Sequence, residues 1–270
     1  MPPPVVEFDH VSLAFDDNVV LNDVSFAIPK GEMRILLGRS GSGKTVLLKL
    51  ILGLLRPDSG SVTVNGEPVN QMTEHDLLHV RTGIGMVFQD NALFDSLTVA
   101  ENVGYGLSEA HVSRERLRAR VEEVVGFIGL REYIDRLPSE LSGGQRRRVA
   151  IARAMAPEPG LLLFDDPITG LDPIIAMTVD NEIIKLRDLG KVTSILVTHQ
   201  IRDAYYIASH QAVHRNQRVH IVDADAAKVA QVEFMVLNAG KIHFKGSAAE
   251  LLASPDPFLK GYLQNTLPPW

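Results

Sequence analysis

Gly38-Arg39-Ser40-Gly41-Ser42-Gly43-Lys44-Thr45 is the stretch on which the fold turns. Its spacing, a glycine, four residues, then Gly-Lys-Thr, is that of a loop built to wrap a polyphosphate. The flanks carry as much as the pattern. Residues 33–37 before it are largely apolar and read as a buried strand, and residues 46–52 after it read as a helix. Glycines let the backbone close around phosphate oxygens with its N–H groups pointing inward. The helix start adds a favourable potential for negative charge. Gly38, Arg39, Ser40, Gly41, Ser42 and Gly43 are therefore the expected cradle. Lys44 is the expected cation on the β- and γ-phosphates, and Thr45 a ligand of Mg2+.

Leu141-Ser142-Gly143-Gly144-Gln145 opens a second helical stretch, residues 146–155, that stops before Pro157. A small, glycine-rich helix start is again an anion site. One triphosphate has little use for two such sites in one chain. Two chains packed head to tail use both, each Ser-Gly-Gly segment capping the partner's nucleotide. Leu161-Leu162-Leu163-Phe164-Asp165-Asp166-Pro167 reads as a parallel strand with carboxylates at its C-terminal end, where ligands sit in open α/β sheets. Asp165 is assigned to the Mg2+ shell and Asp166 to the attacking water. Gln89 and His199 each follow an apolar, strand-like run, residues 83–88 and 193–197, whose ends converge on the same crevice. The Gln89 amide oxygen can bind metal or water, and His199 can hydrogen-bond a γ-phosphate.

With these motifs in this order, the chain resembles an ABC transporter ATPase subunit over almost its full length. The resemblance makes residues 38–45 the Walker A motif, 141–145 the signature, Asp165 the end of Walker B, Gln89 the Q-loop glutamine, 169–172 the D-loop and His199 the switch histidine. Phe15 falls where the family places an aromatic that stacks on adenine; the competing reading is a core strand residue. The family usually has Glu where this chain has Asp166, which withdraws the carboxylate by about 1.5 Å, one carbon–carbon bond. The resemblance implies ATP and Mg2+ as cofactors, with Lys44, Gln89, Asp166 and His199 as catalytic groups. It also implies a head-to-tail dimer and an integral membrane permease as partners. The implied fold is α/β: a RecA-like P-loop NTPase core with a mostly parallel sheet, an N-terminal antiparallel β subdomain and an inserted helical subdomain.

Residues 88–103 and 254–260 are similar to the Mce/Mla-type lipid-transport ATPases. That likeness implies phospholipid cargo moving between bacterial membranes and an MCE-type substrate-binding partner, with Ala92, Leu93 and Phe94 near the permease contact. The alternatives are an importer subunit for another solute, a non-transport protein of the division type, and a regulatory nucleotide binder with little turnover.

Composition narrows the setting. A net charge of −6 argues against a nucleic-acid surface, so Arg146-Arg147-Arg148 reads as a helix face. The absence of cysteine excludes disulfides and thiolate metal sites. The start Met1-Pro2-Pro3-Pro4 lacks the features of a secretion signal. The apolar run 46–55 is too short to span a bilayer and contains Lys49. The expectation is a cytoplasmic protein without direct membrane insertion, held on the cytoplasmic face of the inner membrane by a permease.

Residues 1–270 read as one domain. β-structure is expected over 4–37, a turn at 58–60 before a strand at 61–64, and an inserted helical subdomain over about 90–158. Thr98-Val99-Ala100-Glu101 is a capping box, Asp172-Pro173 a helix start and Gly190 its stop. Residues 211–231 form an extra segment with a strand at 219–222, followed by a hairpin turning at Ala239-Gly240. His210, His214 and His220 fit no standard metal spacing and read as surface or loop residues.

Overall fold

Strand β1 (Val6–Phe15) pairs antiparallel with β2 (Asn18–Ile28), and the alternation of its apolar residues slips once. The slip is a β-bulge: His10 adopts φ 50°, and the register jumps from Phe8 opposite Phe26 to Val11 opposite Val24. Val6, Phe8, Val11 and Leu13 all stay buried as a result. The computed structural model that shows this describes residues 3–215 and 218–266. Met1 and Pro2 of the amino-terminal stretch, Asn216 and Gln217 of the extra segment, and residues 267–270 lie outside the described residues.

Next come β3 (Met33–Leu37), α1 (Lys44–Ile51), β4 (Ser59–Val64) and β5 (Glu67–Pro68). Strands β2-β1-β4-β5 form a four-stranded antiparallel sheet. β4 starts earlier than the turn reading of 58–60 expected, because Ser59 already pairs with Ser12. Gly60, at φ 83°, sits against the His10 carbonyl in the bulge, where a Cβ would collide with backbone.

The chain continues through α2 (Glu74–Thr82), β6 (Ile84–Val87), α3 (Val99–Glu109), α4 (Arg114–Phe127), α5 (Gly143–Met155), β7 (Leu161–Asp165), α6 (Pro173–Leu189), β8 (Thr193–Thr198) and α7 (Ile201–Ser209). It ends with β9 (His210–Arg215), β10 (Arg218–Asp223), α8 (Ala226–Val229), β11 (Val232–Asn238), β12 (Lys241–Gly246), α9 (Ala248–Ala253) and α10 (Pro257–Thr266). The main sheet has the order β12-β11-β3-β8-β7-β6, parallel except for β12. Both its faces are covered, which is why its strands read as continuous apolar runs. Met33, Ile35, Leu37, Leu162, Phe164 and Leu196 share one core with α6 and α7. Leu36, Leu161, Leu163, Ile195 and Val197 share the other with α1 and the antiparallel sheet.

Helices α3, α4 and α5 lie between β6 and β7 in sequence and bury Val99, Val103, Val121, Val124, Ile128, Val149 and Ala152 together. Thr98 and Glu101 close the capping box: each side chain accepts a hydrogen bond from the other's backbone N–H, at 3.2 and 2.7 Å. Asp172 caps α6 by accepting from the N–H groups of Ile174 and Ile175. The helix ends at Gly190 in a right-handed conformation, and the left-handed turn residue is Lys191 at φ 50°.

The extra segment contains a two-stranded sheet of its own, β9 and β10. The three histidines are therefore strand residues, and His210 lies with its ring 4.0 Å from that of Tyr206. A buried ion pair anchors the segment. Arg187 donates to the carbonyls of Ile207 and His210, and its neighbour Asp188 accepts from the Ala212 N–H. Lys228 reaches the same carboxylate at 3.3 Å. Ala239 and Gly240, at φ 47° and 75°, make the tight turn between β11 and β12.

One buried charge is not compensated in this way. Asp180 on α6 is 1% exposed, and its Oδ1 has no hydrogen-bond partner. Burial, with a smaller contribution from Asp203, pushes its carboxyl up to about 8 from 3.8. The folded protein thus holds a proton that the unfolded chain has released, so stability falls as pH rises from 3.8 to about 8. Asp180→Asn is expected to flatten that slope. Thermal melts of both proteins across this range should show the variant gaining most at the alkaline end, and parallel curves would refute the assignment.

Candidate nucleotide site

The parallel strands end on one edge of the sheet, and the loops leaving that edge build a cleft. It has a volume of about 360 Å³ and is lined by Val20, Ser40, Gly41, Gly43, Lys44, Thr45, Val46, Gln89, Asp166 and His199. The loop after β3 needs its glycines at two points. Gly43 has φ 99°, and a Cβ there would press on Val20. A Cβ on Gly38 would strike the Leu237 carbonyl, so β11 fixes how close the loop can lie.

Lys44 begins α1 and is only 6% exposed. Its Nζ donates to the Gly38 and Arg39 carbonyls at 2.8 and 3.0 Å. Burial pushes its pKa down, opposed by Asp166 and Asp165. Thr45 Oγ1 donates to Asp165 Oδ1 at 3.1 Å. Burial raises the Asp165 carboxyl, and the hydrogen bond from Thr45 holds it back. A hydroxyl and a carboxylate at this separation are hard oxygen donors of the kind Mg2+ takes. They fit a metal bound between the start of α1 and the end of β7.

Asp166 leaves β7 in the left-handed region at φ 45°, a conformation Asp tolerates better than most residues. Its N–H donates to the Val197 carbonyl at 2.9 Å. Its Oδ1 accepts from the His199 N–H at 3.2 Å, and His199 Nδ1 lies 2.9 Å from the same oxygen. The carboxylate and the imidazole, read separately from the sequence, are thus partners across β7 and β8.

Several expected residues are not among those lining the cleft: Gly38, Arg39 and Ser42 of the loop and Asp165 behind Thr45, and two further sets. Phe15, at the end of β1 and 45% exposed, is not a core residue and does not line the cleft either. Ser142, Gly143, Gly144 and Gln145 also lie outside its lining. The helix they open starts at Gly143, three residues before the sequence reading placed it. Ser142 is its N-cap, and Gln145 Oε1 accepts from the Ser142 N–H at 2.8 Å, so the glutamine serves its own helix. Gly144 permits close packing on Ile175 of α6, which a Cβ would block.

The arginine triplet is not an exposed helix face. Arg146 donates to the Leu141 carbonyl, Arg148 to that of Ile128, and the buried Arg147 to those of Phe88 and Gln89. A basic run on a helix gave no hint of this, because the acceptors are backbone carbonyls in three separate segments, which carry no residue-type signature. The C-terminal helix was also missed. Arg39 lies over the Phe258 ring at 5.9 Å, and Tyr262 is buried beside the Gly38 backbone, with burial pushing its phenol up to about 12.

Comparison with known proteins agrees with this architecture. The family model described as ABC transporter matches residues 21–169, more than half of the chain. The spermidine/putrescine import ATP-binding protein PotA of Protochlamydia amoebophila is 38% identical over 208 residues, covering 77% of this chain and 54% of that protein. The sulfate/thiosulfate import ATP-binding protein CysA of Synechococcus elongatus is 36% identical over 266 residues, covering 97% of this chain and 69% of that protein. The chain thus spans about half of the first relative and about two thirds of the second. A dimeric post-hydrolysis structure of the ATP-binding cassette MJ0796, bound to ADP and Pi, superposes with a TM-score of 0.74 at 28% identity, covering 90% of this chain and 98% of that one. The chain belongs to the ABC transporter family: it is an ATP-binding cassette, one of a class of ATPases whose cofactors are ATP and Mg2+.

Proposed function

We propose that this chain is the ATP-hydrolysing subunit of an ABC importer and works as a head-to-tail dimer beneath a membrane permease. The observation that carries the reading is the convergence of Lys44, Thr45, Gln89, Asp166 and His199 on one cleft, with Asp165 hydrogen-bonded to Thr45 at its floor. Lys44 leaves the Gly38 and Arg39 carbonyls for the β- and γ-phosphates. Thr45 and Asp165 would hold Mg2+, with Gln89 as a further ligand, and the ion would supply positive charge to the phosphate oxygens. Asp166 orients the attacking water, and His199 sits between that carboxylate and the γ-phosphate. Ser142, exposed and outside the cleft, caps the partner's nucleotide.

Importer cargo is favoured over lipid because the relatives described above are import subunits for a polyamine and for sulfate. Phospholipid is the second reading, supported by the likeness of residues 88–103 and 254–260 to lipid-transport ATPases, and an MCE-type partner belongs to that reading alone. A permease is called for because none of the described helices is long and apolar enough to cross a membrane. A peripheral position on the cytoplasmic face of the inner membrane follows from that partnership. Phe94 suits the contact: it is 41% exposed, packs against Tyr105, and borders a groove with Phe88, Ala92 and Arg153. Leu93 instead turns toward the core.

Lys44→Ala is expected to lower ATP turnover at least about 100-fold, the scale of losing one main electrostatic donor. Steady-state phosphate release measures it, and unchanged turnover would overturn the site. Mixing Lys44→Ala chains with Ser142→Arg chains should leave one intact site per heterodimer and restore part of the activity. Cross-linked dimers that recover activity only when both changes lie in one chain would contradict the partner role of Ser142. Asp166→Asn should bind ATP, hydrolyse almost none and accumulate dimer on sizing columns. Asp166→Glu should match or exceed wild-type single-turnover hydrolysis if the backbone has not adapted to the shorter side chain, and fall below it if compensation has occurred. A faster Asp166→Glu enzyme would mean that no such compensation exists.

A further inference from the structure

Helix α5 carries more than its N-terminal cap. Arg147, 3% exposed, donates from Nη1 to the Phe88 carbonyl and from Nη2 to the Gln89 carbonyl, both at 2.6 Å. Arg153 repeats the pattern further along, donating to the carbonyls of Ala92 at 2.6 Å and Asn91 at 3.1 Å. Four of the five carbonyls in residues 88–92 are thus held by two guanidinium groups of one helix. The loop between them is strained: Asn91 and Ala92 have φ 63° and 49°. A left-handed residue with a Cβ, Ala92 above all, is disfavoured and persists where the surroundings over-determine it. The Phe88 carbonyl also accepts from the Asn91 N–H at 3.1 Å, so removing Arg147 would fall hardest on the Gln89 carbonyl. A planar fork suits two carbonyls at once, and lysine, a point charge, does not reproduce it.

We propose that Arg147 is a positioning residue for Gln89, fixing its backbone so that the side chain is presented to the cleft. Because Ser142 caps the same helix about 7.5 Å away along its axis, at about 1.5 Å per residue, α5 also links the partner's nucleotide to the glutamine of its own site. The proposal rests on the dimeric ATPase reading above. Arg147 acts on the chemistry chiefly through Gln89, with a weaker electrostatic influence on Asp166.

A double-mutant cycle on the full chain tests this, with single-turnover hydrolysis of Mg-ATP as the readout. Arg147→Gln is expected to slow the chemical step about 10- to 100-fold, the scale of misplacing a catalytic group by about 1 Å. ATP binding to the isolated chain should change less than about twofold, since the cradle and Lys44 are untouched. The Mg2+ concentration for half-maximal rate should rise, and the Hill coefficient in ATP should fall toward one. Arg147→Lys should recover only part of the rate. The decisive comparison is Arg147→Gln combined with Gln89→Ala, which should be little slower than Gln89→Ala alone. Multiplying losses would overturn the proposal, as would an unchanged Mg2+ requirement. If Arg147→Gln does not fold, Arg147→Lys completes the same cycle. A wild-type chain without Mg-ATP turnover would overturn the ATPase reading itself, and the proposal with it; an active wild type with multiplying losses overturns the proposal alone.

Discussion

Parallel pairing of β3, β8 and β7 is the constraint on which the rest of this structure depends. Leu37 pairs with Thr198, and Asp165 with Val197, so the three strands end level on one edge. The loops they release carry Lys44, Asp165, Asp166 and His199. A register slip of one residue on β7 would reverse Phe164 and Asp165 between the core and the edge. The register is held because both faces of the sheet are buried, Leu162 and Phe164 on one side, Leu161 and Leu163 on the other. Chemistry at the edge is thus underwritten by packing in the middle.

Burial then places charges where water is scarce. Lys44 and Asp165 are pushed toward their neutral forms by desolvation, in opposite directions on the pH scale, and each is pulled back by polar neighbours. Lys44 has two carbonyls and two nearby carboxylates; Asp165 has the Thr45 hydroxyl. A site arranged in this way is poised for an anionic ligand and a divalent cation, because either would complete a compensation that the protein makes only in part.

Arginine on α5 shows the same economy of charge used for a different end. The three successive arginines reach backbone carbonyls of three separate segments, at Leu141, Phe88–Gln89 and Ile128. Arg147 fastens the helical layer to the segment leaving β6, while Arg146 and Arg148 tie the helical layer to itself, all through backbone carbonyls. The arrangement explains how a loop with two left-handed residues keeps one shape beside the cleft.

Much of the architecture was legible in the chain itself. Continuous apolar runs marked the parallel strands, the Gly-rich loop marked the nucleotide edge, and Thr98, Asp172 and Ala239-Gly240 marked caps and a turn. These are local signals, each set by a few adjacent dihedrals or one side chain reaching its own backbone. What the sequence left open needed partners distant along the chain. Gly190 stops α6 as its type suggested, yet the left-handed residue that follows is Lys191. The bulge at His10 is filled by Gly60, and Gln145 serves its own cap. Arg147 grips carbonyls that carry no residue-type signature, and Tyr262 reaches a loop more than two hundred residues earlier. Residue types and spacing therefore determined that a Gly-rich loop at a helix start, a Thr45 and Asp165 pair of oxygen donors and a carboxylate just after a parallel strand belong to this chain. Only the tertiary structure decided which of these groups touch, because contact between Asp166 and His199, or between Arg147 and the Gln89 carbonyl, is set by how strands register and layers stack.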